Sequence, residues 1–347
     1  MRRIVFAFIG TAAMLAVTGA AQSSGPYKVL KVEKVGGDGG FDYVYADVAG
    51  RRLYIPRSGQ NARVMVYNLD TLAQVGEIPK TGGHGAAVDQ KSDHGFSSVN
   101  PIPMWDTKTL QVIKTIEVQG SPDGIHFDPF NARVWIYSHR APNATVIDGK
   151  TGTVVGTVDL GGGPEEAVSD DKGKIYVDLE DKNKIAIVDA KALAKTGEYD
   201  ISSKCGGPGG LAFDVKNHVL FASCHEPATM TMVDSGNGKI LDSLPIGQGT
   251  DGAAFNPATM EAFSSNRDGT LTVIKENSPT SFSVEQNLKT MVGAKTLTLD
   301  TKTNRLLLIS AEYGPAPEPS PDAATKGGRG RRAPMLPDSF SIIVVGK

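Results

Sequence analysis

The chain is poor in the residues that mark several common protein classes. Its 347 residues include two cysteines, and aromatic residues make up 7% of the composition. Two cysteines cannot build a disulfide-dense scaffold or a four-cysteine zinc site. The formal net charge of -2 provides no bulk attraction to nucleic acid or to an acidic membrane surface.

Short catalytic motifs are also missing. The sequence contains no CxxCH for covalent haem, no HExxH, no GxSxG and no Walker A motif. Glycine runs at residues 36–40 and 161–163 resemble phosphate loops, but no helix is expected after either run, so they are interpreted as turns between sheets. The absence of a recognisable nucleophile–base pair favours a protein that is not an enzyme and leaves the question of activity open.

Long apolar runs are absent after the N-terminus. Arg2 and Arg3 precede an apolar stretch at residues 4–17, and Ala20 and Ala21 follow it. This order predicts a secretory signal peptide at residues 1–21, and a retained membrane anchor is the competing interpretation. We therefore expect a mature chain of residues 22–347 that is exported, most simply to a bacterial periplasm, does not span the membrane and is a monomer.

Repetition dominates the rest of the chain. A phrase recurs at intervals of roughly 42 residues: a turn, a short apolar strand closed by Asp or Asn, a polar turn and a second apolar strand. Examples are HGAAVDQKSDHGFSSV, DGIHFDPFNARVWIY and KTLTLDTKTNRLLLIS. Two further strands follow each phrase, as in ARVMVYNLDTLAQVGEIP. The pattern predicts an all-β fold, a seven-bladed β-propeller with four-stranded antiparallel blades.

The seventh repeat supplies only three strands, because KTLTLDTKTNRLLLIS is followed by SFSIIVV alone. The alternating segment at residues 27–35 is the predicted fourth strand. It would pair with residues 340–345, join the termini in one blade and remove open sheet edges. A six-bladed ring with a separate hairpin is the alternative.

These features carry a family resemblance. The repeat period, the pattern in TVIDGKTGTVVGTVDLGGGPEEAVSD and the export signal resemble the bacterial YVTN-repeat, YncE-like propellers over essentially the whole mature chain. The YVTN tetrapeptide itself survives only in degraded forms such as IYVDLED. The resemblance implies a propeller fold and an envelope location. Because related propellers serve as scaffolds, binding proteins and enzymes, it transfers no catalytic residues.

Aligned repeats place polar residues in two columns that share one face of the predicted ring. The first column precedes the innermost strand and reads Asp42, His84, Asp123, Glu165, Gly209, Asp251 and Lys295. The second follows the second strand and contains Arg57, Asn100, His139, Arg140, Glu180, His225, Glu226, Asn266, Arg267 and Glu312. Together they predict a polar funnel at the channel mouth, and turn chemistry with solvated loops is the plainer interpretation.

Two chemistries fit the predicted funnel. Asp42, His84, Asp123, Glu165 and Asp251 are candidate ligands of a divalent cation. Arg57, Arg140 and Arg267, with Asn100, His139 and Lys295 beside them, are candidates to bind a small anionic ligand. The first functional hypothesis is a periplasmic protein that binds a small molecule, a metal ion or an envelope protein. The second is a metal-dependent, lactonase-like hydrolase or lyase in which His84 or His139 moves a proton.

Three further features complete the predictions. Cys205 and Cys224 flank the first two strands of the fifth repeat and are expected to form a disulfide, with a thiolate metal pair beside His225 as the rival. Residues 314–337 form a Pro/Gly-rich insertion that carries Lys326, Arg329, Arg331 and Arg332. It is interpreted as a tolerated surface loop, and binding of nucleic acid or another polyanion is the less favoured alternative.

Overall fold

The structure is a computed structural model that describes residues 25–315 and 333–347. The predicted signal peptide and the basic cluster of the insertion lie outside the described residues. The described residues form seven antiparallel sheets and no helix. No helix in this part of the chain is long and apolar enough to cross a bilayer.

Blade 1 has a divided inner strand, because β2 (Gly40–Phe41) and β3 (Tyr45–Asp47) both pair with β4 (Arg52–Ser58). Its outer strands are β5 (Arg63–Asn68) and β6 (Gln74–Pro79). Blades 2 and 3 run from the channel outward in chain order as β7 (Ala86–Asp89), β8 (His94–Ser97), β9 (Ile102–Asp106) and β10 (Val112–Ile116), then β11 (Pro122–Asp128), β12 (Arg133–Ser138), β13 (Ala144–Asp148) and β14 (Val154–Val158).

Blades 4 to 6 repeat the same order. Their strands are β15 (Pro164–Ser169), β16 (Lys174–Leu179), β17 (Lys184–Asp189) and β18 (Ala194–Asp200), then β19 (Gly206–Asp214), β20 (Val219–Glu226), β21 (Thr229–Asp234) and β22 (Ile240–Pro245), and finally β23 (Thr250–Asn256), β24 (Glu261–Asn266), β25 (Thr270–Ser278) and β26 (Ser281–Lys289).

Blade 7 is closed by the N-terminal strand, as the sequence predicts. It contains β27 (Leu297–Asp300), β28 (Arg305–Ser310) and β29 (Ser341–Gly346), and β1 (Lys28–Lys34) pairs antiparallel with β29. The pairing runs from Lys28 opposite Gly346 to Lys34 opposite Ser341. The prediction of seven four-stranded blades is therefore confirmed, and the six-bladed alternative is wrong.

The inner strands touch one another in a closed cycle. β3 contacts β7, and contacts then continue through β11, β15, β19, β23 and β27 back to β3. Each pair of neighbouring blades encloses an apolar cluster, for example Tyr54 of blade 1 against Trp105 of blade 2 at 5.9 Å between ring centroids. Trp135 lies in the cluster between blades 3 and 4, so both tryptophans pack between blades. This cyclic packing holds seven inner strands around one channel.

In blade 5 the two cysteines are joined. The sulfur atoms of Cys205 and Cys224 are bonded, with 5.3 Å between the two Cα atoms. The bridge links the loop that enters the blade to the end of its second strand, so a thiolate pair beside His225 is not what the structure shows. It fixes this part of the same face on which the two polar columns lie.

Candidate functional site

Local distortions of the inner strands aim the first polar column into the channel mouth. The pairing register shifts between Pro122 and Ile125 in β11, between Pro164 and Ala167 in β15, and between Thr250 and Ala253 in β23. Each shift encloses one residue of the first column: Asp123, Glu165 and Asp251. A bulge re-aims side chains at the end of a strand, and each of these carboxylates contacts a basic group of a neighbouring blade.

The carboxylates and two histidines form a connected set, which we call the mouth cluster. Its members are Asp42, His84, Asp123, His139, Glu165, Asp251 and Lys295. Nδ1 of His84 lies 2.7 Å from Oδ2 of Asp42 and 3.2 Å from Oδ1 of Asp123. Nε2 of His139 lies 3.2 Å from Oδ2 of Asp123 and 3.0 Å from Oε2 of Glu165. Asp123 therefore stands between the two imidazoles, with one oxygen toward each.

Lys295 closes the other side of the mouth cluster. Its Nζ donates to Oδ1 of Asp42 at 2.8 Å and also contacts Oδ2 of Asp251. Asp251 thus pairs with a lysine and lies outside both histidine–carboxylate groups. The set of predicted cation ligands is reduced by the geometry to two triads, Asp42–His84–Asp123 and Asp123–His139–Glu165, in which the ligand atoms lie within 4.8 Å of one another.

The two imidazoles of the mouth cluster hold their protons strongly in this setting, because each has a raised pKa. The hydrogen bond to Asp42 raises the pKa of His84, against the opposing effect of burial. Contacts with Asp123 and Glu165 raise the pKa of His139 to about 10. Burial favours a higher pKa for Asp42, but His84 and Lys295 outweigh it and the net pKa is lowered. Without a bound cation, the cluster is an ion-pair network in which imidazolium groups separate carboxylates that would otherwise repel one another.

One oxygen in the network has no hydrogen-bond partner. Oδ1 of Asp123 is buried, and its 3.2 Å approach to His84 does not form a hydrogen bond. The proton on Nδ1 of His84 is directed to Asp42 instead. A buried carboxylate oxygen without a donor is costly, and a cation placed between the imidazole and the two carboxylates would satisfy it.

The second predicted column is split by the structure. His139, directly after β12, is the member that joins the mouth cluster. Arg140 and Arg267 are exposed and form no ion pair within the described ranges, while Nδ2 of Asn100 donates to the carbonyl of Val118 at 3.0 Å. Nε2 of His225 lies 3.8 Å from Glu180 in a separate open groove, with Glu226 on its rim.

Arg57 does not lie on the open funnel. Its side chain is fully buried, with the guanidinium carbon 3.7 Å from the ring centre of Phe340, and its Nη2 donates to the carbonyl of Gly39 at 2.9 Å. Burial lowers its pKa to about 10. The expectation that Arg57 binds a ligand from the rim is therefore corrected: this arginine packs on aromatic rings where blade 7 meets blade 1.

A cavity of ≈ 300 Å³ adjoins the mouth cluster along the channel. Two of its polar wall residues, Tyr43 and Glu166, were not predicted from the sequence. The hydroxyl of Tyr43 donates to Oε1 of Glu165 at 2.5 Å, across the channel from blade 1 to blade 4. Oε2 of Glu166 accepts the amides of Leu211 at 2.9 Å and Ala253 at 3.3 Å, and burial raises its pKa to about 8.

A sequence signal for these two residues exists in the column next to the first one. There the repeats read Tyr43, Gly85, Gly124, Glu166, Gly210, Gly252 and Thr296. At Gly124 a Cβ atom would lie 2.5 Å from the carbonyl oxygen of Glu165, so the inner strands approach too closely for a side chain. The two large polar side chains in a column of small residues thus project into the space that the glycines leave open.

Comparisons with known proteins identify the fold and nothing finer. No protein-family model matches the chain, and no curated protein matches its sequence. The chain is similar to a solved structure, a crystal structure of the mitotic checkpoint complex, with a TM-score of 0.68 and 11% sequence identity. The match covers 89% of this chain and 95% of that chain. At this identity the likeness extends to the propeller fold alone.

Proposed function

We propose that this protein is an exported, periplasmic propeller of the YVTN-repeat type that binds a divalent transition-metal ion at its mouth cluster. The observation that carries the proposal is that His84 and His139 each turn one ring nitrogen toward two carboxylate oxygens from different residues. A ring nitrogen and two converging carboxylate oxygens provide three of the four ligands of a tetrahedral site. The fourth position is left for water or a bound molecule. The protein acts as a monomeric binding protein.

The spacing of the donor atoms fits such an ion. Two ligands that each lie about 2.0–2.1 Å from a tetrahedral metal are roughly 3.3 Å apart. The four separations between a histidine nitrogen and a carboxylate oxygen in the cluster run from 2.7 to 3.2 Å. Imidazole nitrogen suits zinc, cobalt or nickel better than calcium, which prefers a shell of six to eight oxygens. The unpaired Oδ1 of Asp123 gains a partner when the ion is bound.

The experiment is a metal titration of the full chain after removal of bound ions. We expect saturable Zn²⁺ binding by calorimetry and a Co²⁺ visible spectrum of four-coordinate type, with Ca²⁺ binding far more weakly. The double variant His84→Gln/His139→Gln should lose both signals. The control is His218→Asn, at an exposed turn between β19 and β20 on the opposite face. Equal Zn²⁺ affinity in the wild type and the double variant would overturn the proposal.

A metal-dependent hydrolase or lyase is the second candidate, and the cavity beside the cluster favours it. A metal ion at the mouth would supply Lewis-acid chemistry next to a space of ≈ 300 Å³. The hydroxyl of Tyr43 lies on that wall and is hydrogen-bonded to Glu165, so Tyr43 is placed to move a proton at the cavity. His84 and His139 would be occupied as ligands. Turnover of a small lactone or ester panel, lost in Tyr43→Phe with metal binding retained, would support this candidate.

Binding of nucleic acid through Lys326, Arg329, Arg331 and Arg332 stays a prediction. These residues lie outside the described part of the chain, and the net charge of -2 does not favour the interaction. Deletion of residues 326–332 should leave Zn²⁺ binding unchanged. A gel-shift assay with single-stranded DNA at two salt concentrations tests whether that segment binds a polyanion.

A further inference from the structure

Asp123 lies at the centre of the mouth cluster, and the two histidine–carboxylate triads share this residue and no other. Its Oδ1 lies 3.2 Å from Nδ1 of His84, and its Oδ2 lies 3.2 Å from Nε2 of His139. The second carboxylate of each triad approaches the same ring nitrogen, at 2.7 Å for Asp42 and 3.0 Å for Glu165. The two histidines therefore face different oxygens of one carboxyl group.

The two outer carboxylates use their second oxygen differently from Asp123. Oδ1 of Asp42 accepts a hydrogen bond from Nζ of Lys295 at 2.8 Å. Oε1 of Glu165 accepts a hydrogen bond from the hydroxyl of Tyr43 at 2.5 Å. Each outer carboxylate is thus left with one oxygen for an ion, whereas Asp123 directs one oxygen to each imidazole. The pattern is that of two terminal ligands and one bridging ligand.

The spacing of the donor atoms separates the two histidines. The ligand atoms of each triad lie within 4.8 Å of one another, and no such group among the described residues contains both His84 and His139. Two ligands of one zinc ion, each at about 2.0–2.2 Å from it, are at most roughly 4.4 Å apart. One ion in this geometry can therefore take one imidazole and not both, so that each histidine needs its own ion.

The imidazole side of the cluster is open to solvent. The side chains of His84 and His139 are 46% and 37% exposed, against 13–21% for the carboxylates of Asp42, Asp123 and Glu165. An ion can thus reach either triad from the channel mouth, past the ring whose nitrogen it binds. Because it takes the place of the proton on that nitrogen, each divalent ion adds only one net positive charge to a cluster of carboxylates.

We infer that the mouth cluster is a dinuclear metal centre in which the carboxylate of Asp123 bridges two ions. One ion is bound by His84, Asp42 and Oδ1 of Asp123. The other ion is bound by His139, Glu165 and Oδ2 of Asp123. Two ions held in this way are expected to lie about 3.5–4 Å apart, as in two-metal sites generally. The inference rests on the proposed metal binding, and it adds the number of ions and the residue that joins them.

The first test counts the ions in the full chain and in single-histidine variants. The protein is stripped with EDTA, titrated with Zn²⁺ by calorimetry and analysed for zinc after removal of free ions. We expect two zinc ions per chain in the wild type and one in each of His84→Gln and His139→Gln. The control His218→Asn should retain two. Circular dichroism of the metal-free proteins checks that every variant folds.

The second test asks whether the two ions are neighbours. The same proteins are loaded with Co²⁺, and their low-temperature EPR spectra are compared. Two cobalt ions that share a carboxylate couple their spins, so the signal per cobalt should be smaller in the wild type than in His84→Gln or His139→Gln, which hold one isolated ion each. Two ions with uncoupled spectra would place the second ion outside the cluster and refute the bridge.

The remaining outcomes separate this inference from the proposed function. A wild-type chain that saturates with one ion would leave metal binding intact and remove the dinuclear centre. So would a single-histidine variant that binds no ion, because both histidines would then belong to one mononuclear site. A wild-type chain that binds no ion would remove the proposed function together with the inference.

Discussion

Two sets of polar side chains, mostly carboxylates, stand at opposite ends of the inner strands, and they follow the sequence repeat differently. At the mouth the acidic side chains contact basic groups on neighbouring blades. At the other end a second set, which we call the turn set, closes the inner strands. Its members bond within their own turns, and four of them also bond to a neighbouring blade. The turn set contains Asp47, Asp89, Asp128, Asp214, Asn256 and Asp300. All six are almost completely buried.

The turn set follows the repeat. In most of its members a side-chain oxygen accepts the backbone amide two residues later, as Oδ1 of Asp89 does from Lys91 at 3.0 Å and Oδ1 of Asp214 does from Lys216 at 2.9 Å. This is the hydrogen bond that makes Asp and Asn favourable in turns. Because the same bond is needed in nearly every blade, the same residue type recurs.

The mouth cluster departs from the repeat instead. Its column holds aspartate, histidine, glutamate, glycine and lysine at equivalent positions. The side chains bond across blades, as His84 does with Asp42 and Lys295 does with Asp251. A polar residue that recurs at the same position of a repeat therefore indicates a role in building each blade. A column in which the polar residues differ from blade to blade indicates a site at the channel axis.

The largest expected effect is a loss of stability when a carboxylate of the turn set is removed. Asp300 accepts two hydrogen bonds from the guanidinium of Arg51, at 2.8 and 2.7 Å, and also bonds Thr303 and Lys302. Asp300→Ala leaves the buried side of Arg51 unpaired and should lower the free energy of unfolding by about 3 kcal/mol. Urea denaturation measures it.

The matched control for that variant is Asp70→Ala. Asp70 is exposed and contacts the same arginine at 2.6 Å, so its removal should change the denaturation midpoint very little. Zn²⁺ affinity should be unchanged in both variants. If Asp300→Ala weakened Zn²⁺ binding as strongly as it weakened the fold, the two ends of the channel would not be independent.

The second effect is a loss of metal affinity when a carboxylate of the mouth cluster is changed. Asp123→Asn keeps the size of the side chain and removes the carboxylate that faces both imidazoles. We expect Zn²⁺ affinity to fall at least about 100-fold, because a shared ligand contributes more than the outer-shell partners whose loss typically costs 10–100-fold. Urea denaturation of the metal-free variant should match the wild type closely. A stable variant with wild-type affinity would show that Asp123 is only a network residue.

The third effect is the pH dependence of metal binding. His139 has a pKa of about 10 in the metal-free protein, so at neutral pH a proton must leave before Nε2 can bind a metal ion. Affinity should therefore rise with pH, by about tenfold per unit for each proton displaced, between pH 6 and 7.5. Calorimetry in buffers of different ionisation enthalpy counts the released protons. A flat profile would indicate that His139 is not displaced from its ion pairs.

The smallest effect concerns Lys295. Its ammonium group neutralises Asp42 and Asp251 and lies beside the histidine triads. Lys295→Met removes a like charge from the neighbourhood of the bound cation, so Zn²⁺ affinity should increase about fivefold, a gain that diminishes with added salt. Lys347→Met, which removes a lysine paired with Glu261, is the control and should leave Zn²⁺ affinity unchanged. Weaker binding in Lys295→Met would mean that Lys295 positions Asp42 rather than competing with the ion.

The fold could be predicted from the sequence in detail because each blade repeats the same sequence pattern. The period, the Asp or Asn at the end of six of the seven inner strands and the missing fourth strand of the last repeat lead to seven blades closed by β1. The mouth could be predicted as a column, since Asp42, His84, Asp123 and Glu165 align on the repeat. Which members of the column contact one another could not be predicted. Those contacts depend on bulges such as the one at Asp123 and on the length of side chains that cross the channel axis.

Arg57 shows the limit of the column reasoning. It belongs to the same predicted column as His139, yet it lies within β4 and its guanidinium packs over Phe340. The aromatic partner comes from the last strand region of the chain, more than 280 positions away in the sequence. Tyr43 and Glu166 show the opposite case: the signal was present in a glycine column, but it can be read only after the channel is known to narrow there.

The pairing of β1 with β29 also determines when, during synthesis, the ring can close. A ribosome makes β1 long before β29, so the ring cannot close until residues 341–346 have been added. Until then one blade lacks its outermost strand and the mouth residues of blades 1 and 7 have no fixed separation. Asp42 and Lys295 would gain a fixed separation only at that step, so a completed mouth indicates that β29 has been made and has paired with β1.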